Sequence, residues 1–353
     1  MNTLKRLEVT ATALVLGFVL GACGTTDVES TTQESSAASS ENCAEDTTTT
    51  STEPVSLVDG VGRTVELDKP AERVVVLEWQ QTEDLMSLCI NPVGAADIDG
   101  YSTYVQAEPL PDDVTDVGER GEPDLDTIYG LDPDLIIVEA FGADDEILAE
   151  LEKGDVPVLA TVGADASGQI DNMKNVFSMI GEATGRSERA QVVLDQFDAH
   201  LAEAKEEVSG VVDTLPTRDF LFFDGWIEGS NVVIRPYGEG ALFTELGEEL
   251  GLTPAWTDEV DAAYGSGGVD PAYGLAQTDI EGLTAVGDAN LFYADDGTAD
   301  SYVNELDKST IWTSLPAVED GRAHAFPEGL WGAGGPESNM DAIDAYVDIL
   351  TAK

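Results

Sequence analysis

Few side chains in this sequence are suited to directed chemistry. Its 353 residues include two histidines, His200 and His324, three cysteines, Cys23, Cys43 and Cys89, and nine arginines, set against 70 acids. His200 falls among alanines and acids in a helical stretch and His324 inside a short apolar run, so both read as structural groups. No Cys/His spacing suits structural zinc, and an excess of acid is not in itself a metal site. The chain has no G-x-S-x-G elbow, no G-x-G-x-x-G turn and no H-E-x-x-H pair. Gly265-Ser266-Gly267-Gly268 lacks a following Lys-Ser/Thr pair, which argues against phosphate binding. Acid pairs occur everywhere, so none stands out as catalytic. The remaining chemistry is recognition. Trp79 offers a flat apolar face, Gln80 donates and accepts hydrogen bonds, and Arg235 can present paired N–H donors to a carboxylate edge. No catalytic residue, resident cofactor or protein-held metal is expected.

The N-terminus bears on location. Lys5 and Arg6 precede an apolar run, residues 9–20, shorter than the roughly 20 residues needed to span a bilayer. It reads as an export signal. The run ends in Leu20-Gly21-Ala22-Cys23, which resembles the lipobox of bacterial lipoproteins: small residues admit the peptidase before Cys23, whose thiol then takes the lipid. Residues 1–22 are therefore expected to be a signal peptide and Cys23 the lipid anchor, on the outer face of a bacterial cytoplasmic membrane. Residues 23–54, rich in Thr, Ser, Glu, Asp and Ala, carry no Lys or Arg and read as a flexible acidic tether. An oxidising exterior permits Cys43 and Cys89 to pair, the alternative being a floppy Cys43 and a buried, inert Cys89.

The net charge of -54 argues against nucleic acid, whose binding requires cationic neutralisation of phosphate. It suits a protein kept dispersed in a high-salt medium. The roughly 300 residues after the tether exceed one typical domain and suggest two. A glycine-centred hairpin opens the folded part over residues 57–67. Strands at 73–77, 92–95, 135–138 and 156–162 then alternate with helices at 82–88, 126–131 and 147–151, as in a parallel sheet covered by helices. Ile170, Met173, Val176, Phe177 and Ile180 have helical spacing, as do Ala190, Val193, Leu194, Phe197 and Leu201. The second of these helices, with Ser187 a candidate cap, is the expected stiff connector. Strands at 220–223, 231–234, 289–293 and 323–326, with helices at 241–250, near Glu281 and from about Ser338, repeat the α/β alternation.

Several phrases, in order, extend over residues 57–351: Asp59-Gly60-Val61-Gly62-Arg63-Thr64-Val65, Pro70-Ala71-Glu72-Arg73-Val74-Val75, Gly118-Glu119-Arg120-Gly121-Glu122-Pro123-Asp124-Leu125-Asp126, Leu131-Asp132-Pro133-Asp134-Leu135-Ile136 and Trp312-Thr313-Ser314-Leu315-Pro316-Ala317-Val318. Together they resemble the iron-siderophore substrate-binding proteins of bacterial ABC importers, the class that also includes haem and cobalamin binders. The resemblance implies a class III periplasmic-binding-protein-like fold: two Rossmann-like α/β lobes, 55–168 and 215–353, joined through a helical region, 169–214, by a single long helix. It implies capture of a ferric siderophore or ferric carboxylate, Fe(III) arriving already chelated, and delivery by a monomer to an ABC permease with its ATPase subunits. Haem or cobalamin is the alternative cargo.

Ligands of α/β lobes sit beyond the strand ends. On that rule and the resemblance, the candidate cleft residues are Trp79, Gln80, Tyr101, Tyr104 and Arg120 from the first lobe. Trp226, Arg235, Tyr237 and Trp331 come from the second. Arg120 and Arg235 are expected to bias the cleft toward anionic ferric complexes. In the family an acid near the start of a short helix in each lobe engages the permease. Asp126 and Glu281 match those positions, with Asp126 in place of the commoner glutamate and Asp279 the alternative to Glu281.

Overall fold

The computed structural model describes residues 43–352 except Ser230. The expected signal peptide, Cys23 and the first part of the tether lie outside the described residues. Among those described, no helix is long and apolar enough to cross a membrane.

The opening hairpin pairs Val55–Val58 with Thr64–Leu67 antiparallel. Alternation turns Val55, Leu57, Val65 and Leu67 into the core, and the Asp59 carboxylate closes the turn on the Arg63 amide and guanidinium. The first lobe is then built on a five-stranded, all-parallel sheet, in the order Thr115–Asp116, Gly94–Ala95, Val74–Val76, Leu135–Glu139, Val158–Thr161. Its central strands are buried on both faces, which is why they read as unbroken apolar runs rather than alternating ones.

The second lobe departs from the expected parallel pattern. The expected strand 220–223 is the start of a longer one, Asp219–Glu228, which turns back as an antiparallel hairpin into Asn231–Tyr237. Trp226, Arg235 and Tyr237, expected in loops after strands, therefore lie within them. Thr278–Asp279 adds antiparallel to this hairpin, whereas Asn290–Tyr293 and Ala323–Ala325 join parallel on the other side.

Two helices connect the lobes. Ser187–Val212 has 26 residues, about 39 Å at 1.5 Å per residue. Its Ala190, Val193 and Leu194 pack into the first lobe's core. Phe197, Leu201, Ala204, Val208 and Val212 pack into the second's. Gln169–Ala183 is divided in the same way, with Ile170 and Met173 in one core and Val176, Phe177 and Ile180 in the other. Ser187 does not cap the long helix; Arg186 holds the cap position and no side chain bonds the free amides.

Arg186 instead anchors the incoming chain. Residues 43–54, expected to be part of the tether, are held along the lobe. The Arg186 guanidinium pairs with Asp46 and donates to Thr50 Oγ1 and the Leu88 carbonyl. The Ser51 amide donates to Gly185 O, and Cys43 is joined to Cys89 in a disulfide. A cross-link across 46 positions is worth roughly 2–4 kcal/mol in the chain-entropy description.

A third contact ties the lobes together. Glu83, on the helix Trp79–Ser87 of the first lobe, accepts from the amides of Gly335 and Ser338 and from the Ser338 hydroxyl. It thereby caps the terminal helix Pro336–Thr351 of the second lobe, whose first free N–H groups carry partial positive charge. Burial, only partly offset by those bonds, pushes the Glu83 carboxyl up to about 7. Asp84 beside it is fully buried with neither oxygen hydrogen-bonded among the described residues, and burial and the Glu83 charge raise it well above the carboxylate range.

Between about pH 4.5 and 7 the native state keeps a proton on Glu83 that the unfolded chain has lost, so stability falls as pH rises through that window. The loss is on the order of 3 kcal/mol. Urea unfolding should show Glu83→Gln gaining stability relative to the parent between pH 5 and pH 8, because glutamine cannot ionise. A difference constant with pH would contradict this assignment.

Candidate functional site

The carboxyl ends of the first lobe's strands face the second lobe across a cleft containing two cavities, of about 230 and 280 Å3. Arg120, Arg235, Tyr237, Trp331 and Gly332 line both.

The helix after Val74–Val76 begins at Trp79, three residues earlier than its periodicity suggests, because Glu78 caps it by accepting from the Trp79 amide. Trp79 and Gln80 therefore occupy its first turn and are aimed by it. Trp79 stacks on Tyr104 at 5.7 Å between centroids and meets Trp331 edge-on at 4.8 Å. Its indole donates to Asp97 O, and Gly100 packs so closely that a Cβ there would lie 2.4 Å from the indole. The Arg120 guanidinium lies 3.8 Å above the Trp79 ring and 5.5 Å from Trp331. Trp79 itself is buried, at 4% exposure, and backs a cationic–aromatic wall that Tyr104, Arg120 and Trp331 present from both lobes.

Tyr101 is not part of that surface. At 1% exposure it lies beneath Trp79, and its hydroxyl donates to Glu108 O. Its helix, Ile98–Tyr104, turns Tyr104 outward at 41% exposure and Tyr101 inward. The periodicity that makes one tyrosine available buries the other.

In the second lobe, Asp224 and Arg235 are directly opposed in the hairpin register. Arg235 Nε lies 2.7 Å from Asp224 Oδ1, its Nη2 also reaches the carboxylate, and Tyr237 donates to Asp224 Oδ2 at 3.1 Å. Burial, then the Asp224 charge, push the Tyr237 phenol up, so it stays protonated. Arg235 also lies 5.9 Å from the Trp226 ring, a diagonal neighbour across the hairpin.

The arginines, expected to bias the cleft toward anionic complexes, are each already paired with a carboxylate. Arg120 is bound to Glu78 at 2.6 Å and lies 3.8 Å from Asp97, and Arg235 is bound to Asp224. Five carboxylates, Glu78, Glu139, Asp224, Asp295 and Asp296, line the two cavities with these two guanidiniums. Each guanidinium has five N–H donors and so keeps some beyond its ion pair.

Sequence reasoning passed over Glu139 and Tyr273. Glu139 ends the strand Leu135–Glu139, the same strand-end position that singles out Trp79 and Gln80. Tyr273 carries no local signal; its loop is brought to the cleft by Gln169, whose amide donates to Gly240 O and Ala272 O.

His324, in the strand Ala323–Ala325, stacks on Phe292, and burial lowers its pKa. Among the described residues no group of three or more His, Cys, Asp or Glu is placed to hold a metal ion.

A two-lobed α/β receptor with an interlobe cleft is the class this geometry defines. The chain belongs to the periplasmic binding protein family, whose model matches residues 74–325. It is 26% identical over 285 residues to the iron(3+)-hydroxamate-binding protein FhuD of Escherichia coli (strain K12), covering 80% of this chain and 88% of that protein. It is 24% identical over 363 residues to the putative ABC transporter substrate-binding lipoprotein YhfQ of Bacillus subtilis (strain 168), covering 98% and 97%. The Fe3+-Desferal-bound structure of the siderophore binding protein FhuD from Vibrio cholerae matches with a TM-score of 0.65 at 25% identity, over 80% of this chain and 98% of that one. Such proteins bind rather than transform their substrates.

Asp224→Asn should destabilise the fold by about 1–3 kcal/mol, less than for a fully buried pair because water reaches part of this one. In a urea double-mutant cycle with Arg235→Met the loss should be largely recovered. Additive losses would show that the two side chains do not act as a pair.

Proposed function

We propose that this protein is an extracytoplasmic receptor that captures a ferric siderophore or ferric carboxylate and delivers it to an ABC permease. The observation that carries this reading is the wall of Tyr104, Arg120 and Trp331, backed by the buried Trp79, assembled across the cleft. It offers apolar faces and directed donors, suited to an organic ligand that already satisfies its own iron. Gln80, Trp226, Arg235 and Tyr237 complete the ligand-contacting set, with Tyr101 supporting Trp79 from beneath. The hydroxamate-binding relative and the Desferal complex support the same class of cargo.

Haem is less well served. It requires an axial ligand, commonly Tyr or His. The Tyr101 hydroxyl is committed to Glu108 and that of Tyr237 to Asp224, and His324 stacks on Phe292, which leaves the exposed Tyr104 as the candidate axial ligand on the cleft wall. Lipid attachment at Cys23 would keep the receptor beside its permease, and the lipoprotein relative supports that placement.

Native mass spectrometry of the chain against ferric citrate, ferric trihydroxamates, haem and cobalamin tests the reading. A stable 1:1 adduct with a ferric chelate, weakened at least tenfold in solution titration by Trp331→Ala, is the expected result. Adducts with haem or cobalamin alone would reject it.

Docking is assigned to Asp126 and Glu281. Both are exposed in the first turn of a short helix, one in each lobe. Asp124 and Asp279 serve as the caps, accepting from the Asp126 and Gly282 amides respectively; Asp279 is exposed as Glu281 is, and its capping bond supports Glu281 as the docking acid. In vesicles with the cognate permease, Asp126→Arg and Glu281→Arg should each cut uptake severalfold while leaving ferric-chelate affinity near that of the parent. Parent-like uptake by both variants would remove the assignment.

A further inference from the structure

Glu139 lies at the carboxyl end of its strand and on the wall of the 230 Å3 cavity. Both its oxygens accept from the Tyr273 hydroxyl, at 2.9 and 2.8 Å, across the cleft. That is a neutral partner. The arginines that share its cavity are paired elsewhere, Arg120 with Glu78 and Arg235 with Asp224. Gly163 makes room for the carboxylate, since a Cβ there would fall 1.9 Å from Glu139 Oε2 and 3.0 Å from Tyr273 Oη. Phe141, 51% exposed on the same segment, packs edge-on against Tyr273 at 6.1 Å and gives the subsite an apolar rim. The cavity thus presents a carboxylate with no cation in ion-pair contact among the described residues, beside arginines each already paired with another carboxylate.

We infer that Glu139 forms a cation subsite, selecting a ferric chelate whose organic scaffold carries a protonated amine. The inference rests on the receptor reading above and narrows its cargo. A buried carboxylate lacking a countercharge rewards a ligand that supplies one and penalises an added anion. Tyr273 holds the carboxylate in place until the amine arrives.

The electrostatic surroundings make the preference depend on pH. Burial, then the charge of Glu78 at the adjoining helix cap, raise the Glu139 carboxyl to about 7; Asp145, at the start of the following helix, adds to this, and the Tyr273 hydroxyl and Arg120 oppose it. Above that value Glu139 is ionised and attracts an ammonium, which itself stays charged to about pH 10. Below it the acid is neutral and the attraction fades.

The test compares Desferal's ferric complex, a trihydroxamate ending in a primary amine, with its N-acetylated form, which is uncharged at that end. Titrations of the full chain at pH 8 should show the amine complex binding at least tenfold more tightly. The ratio should shrink toward one at pH 5.5, and in Glu139→Gln it should be near one at both pH values. Tyr273→Phe, which keeps the carboxylate and removes a donor that holds its pKa down, should move the midpoint of the ratio to higher pH while preserving the ratio at pH 9. Equal binding of the two complexes by the parent at pH 8, a ratio unchanged by Glu139→Gln, or its loss in Tyr273→Phe at pH 9 would each overturn the inference. Binding of ferric citrate but of neither trihydroxamate would overturn it while leaving the receptor reading intact. Failure of every ferric chelate to bind would overturn both.

Discussion

Much of this structure depends on one buried carboxylate. Glu83 is carried by the first helix of one lobe and caps the terminal helix of the other. The same first helix begins with Trp79 and Gln80, and the capped segment, Gly335 onward, follows directly on Trp331. Fixing Glu83 on those amides therefore fixes the two halves of the aromatic wall against each other. An unsatisfied helix end and an unpaired buried acid are each costly, and here each satisfies the other.

The long helix supplies stiffness of a different kind. Its buried stripe is shared between the two hydrophobic cores, so neither lobe can rotate far without exposing apolar surface of the other's connector. The preceding helix repeats the arrangement. The disulfide and Arg186 fasten residues 43–54 against the first lobe at the junction of these helices.

Electrostatics within the cleft run against the impression left by composition. The chain is strongly acidic, and its two cleft arginines look like anion receptors in sequence. In the fold each is already neutralised by a carboxylate brought to it, in one case by a hairpin register and in the other by a helix cap. What each retains is directional: donors not used in the pair and, for Arg120, a guanidinium laid on an indole.

The lobes, their strands and the connecting helix were legible because each rests on a local repeat. Unbroken apolar runs such as 135–138 mark strands buried on both faces, and the spacing of Ala190, Val193, Leu194, Phe197 and Leu201 marks one helix face. The strand-end rule brought Trp79 and Gln80 forward, and the paired redox context brought Cys43 and Cys89 together. Tertiary structure alone decided the rest. Periodicity does not reveal that the strand 220–223 continues into an antiparallel hairpin, nor which of Tyr101 and Tyr104 faces out. The partners Glu78, Asp224 and Tyr273 lie 42, 11 and 134 positions from Arg120, Arg235 and Glu139, and the latter two pairings join separate strands or lobes. Charge pairing depends on distances of a few ångströms between groups that only folding brings together, whereas a hydrophobic repeat is written along the chain itself.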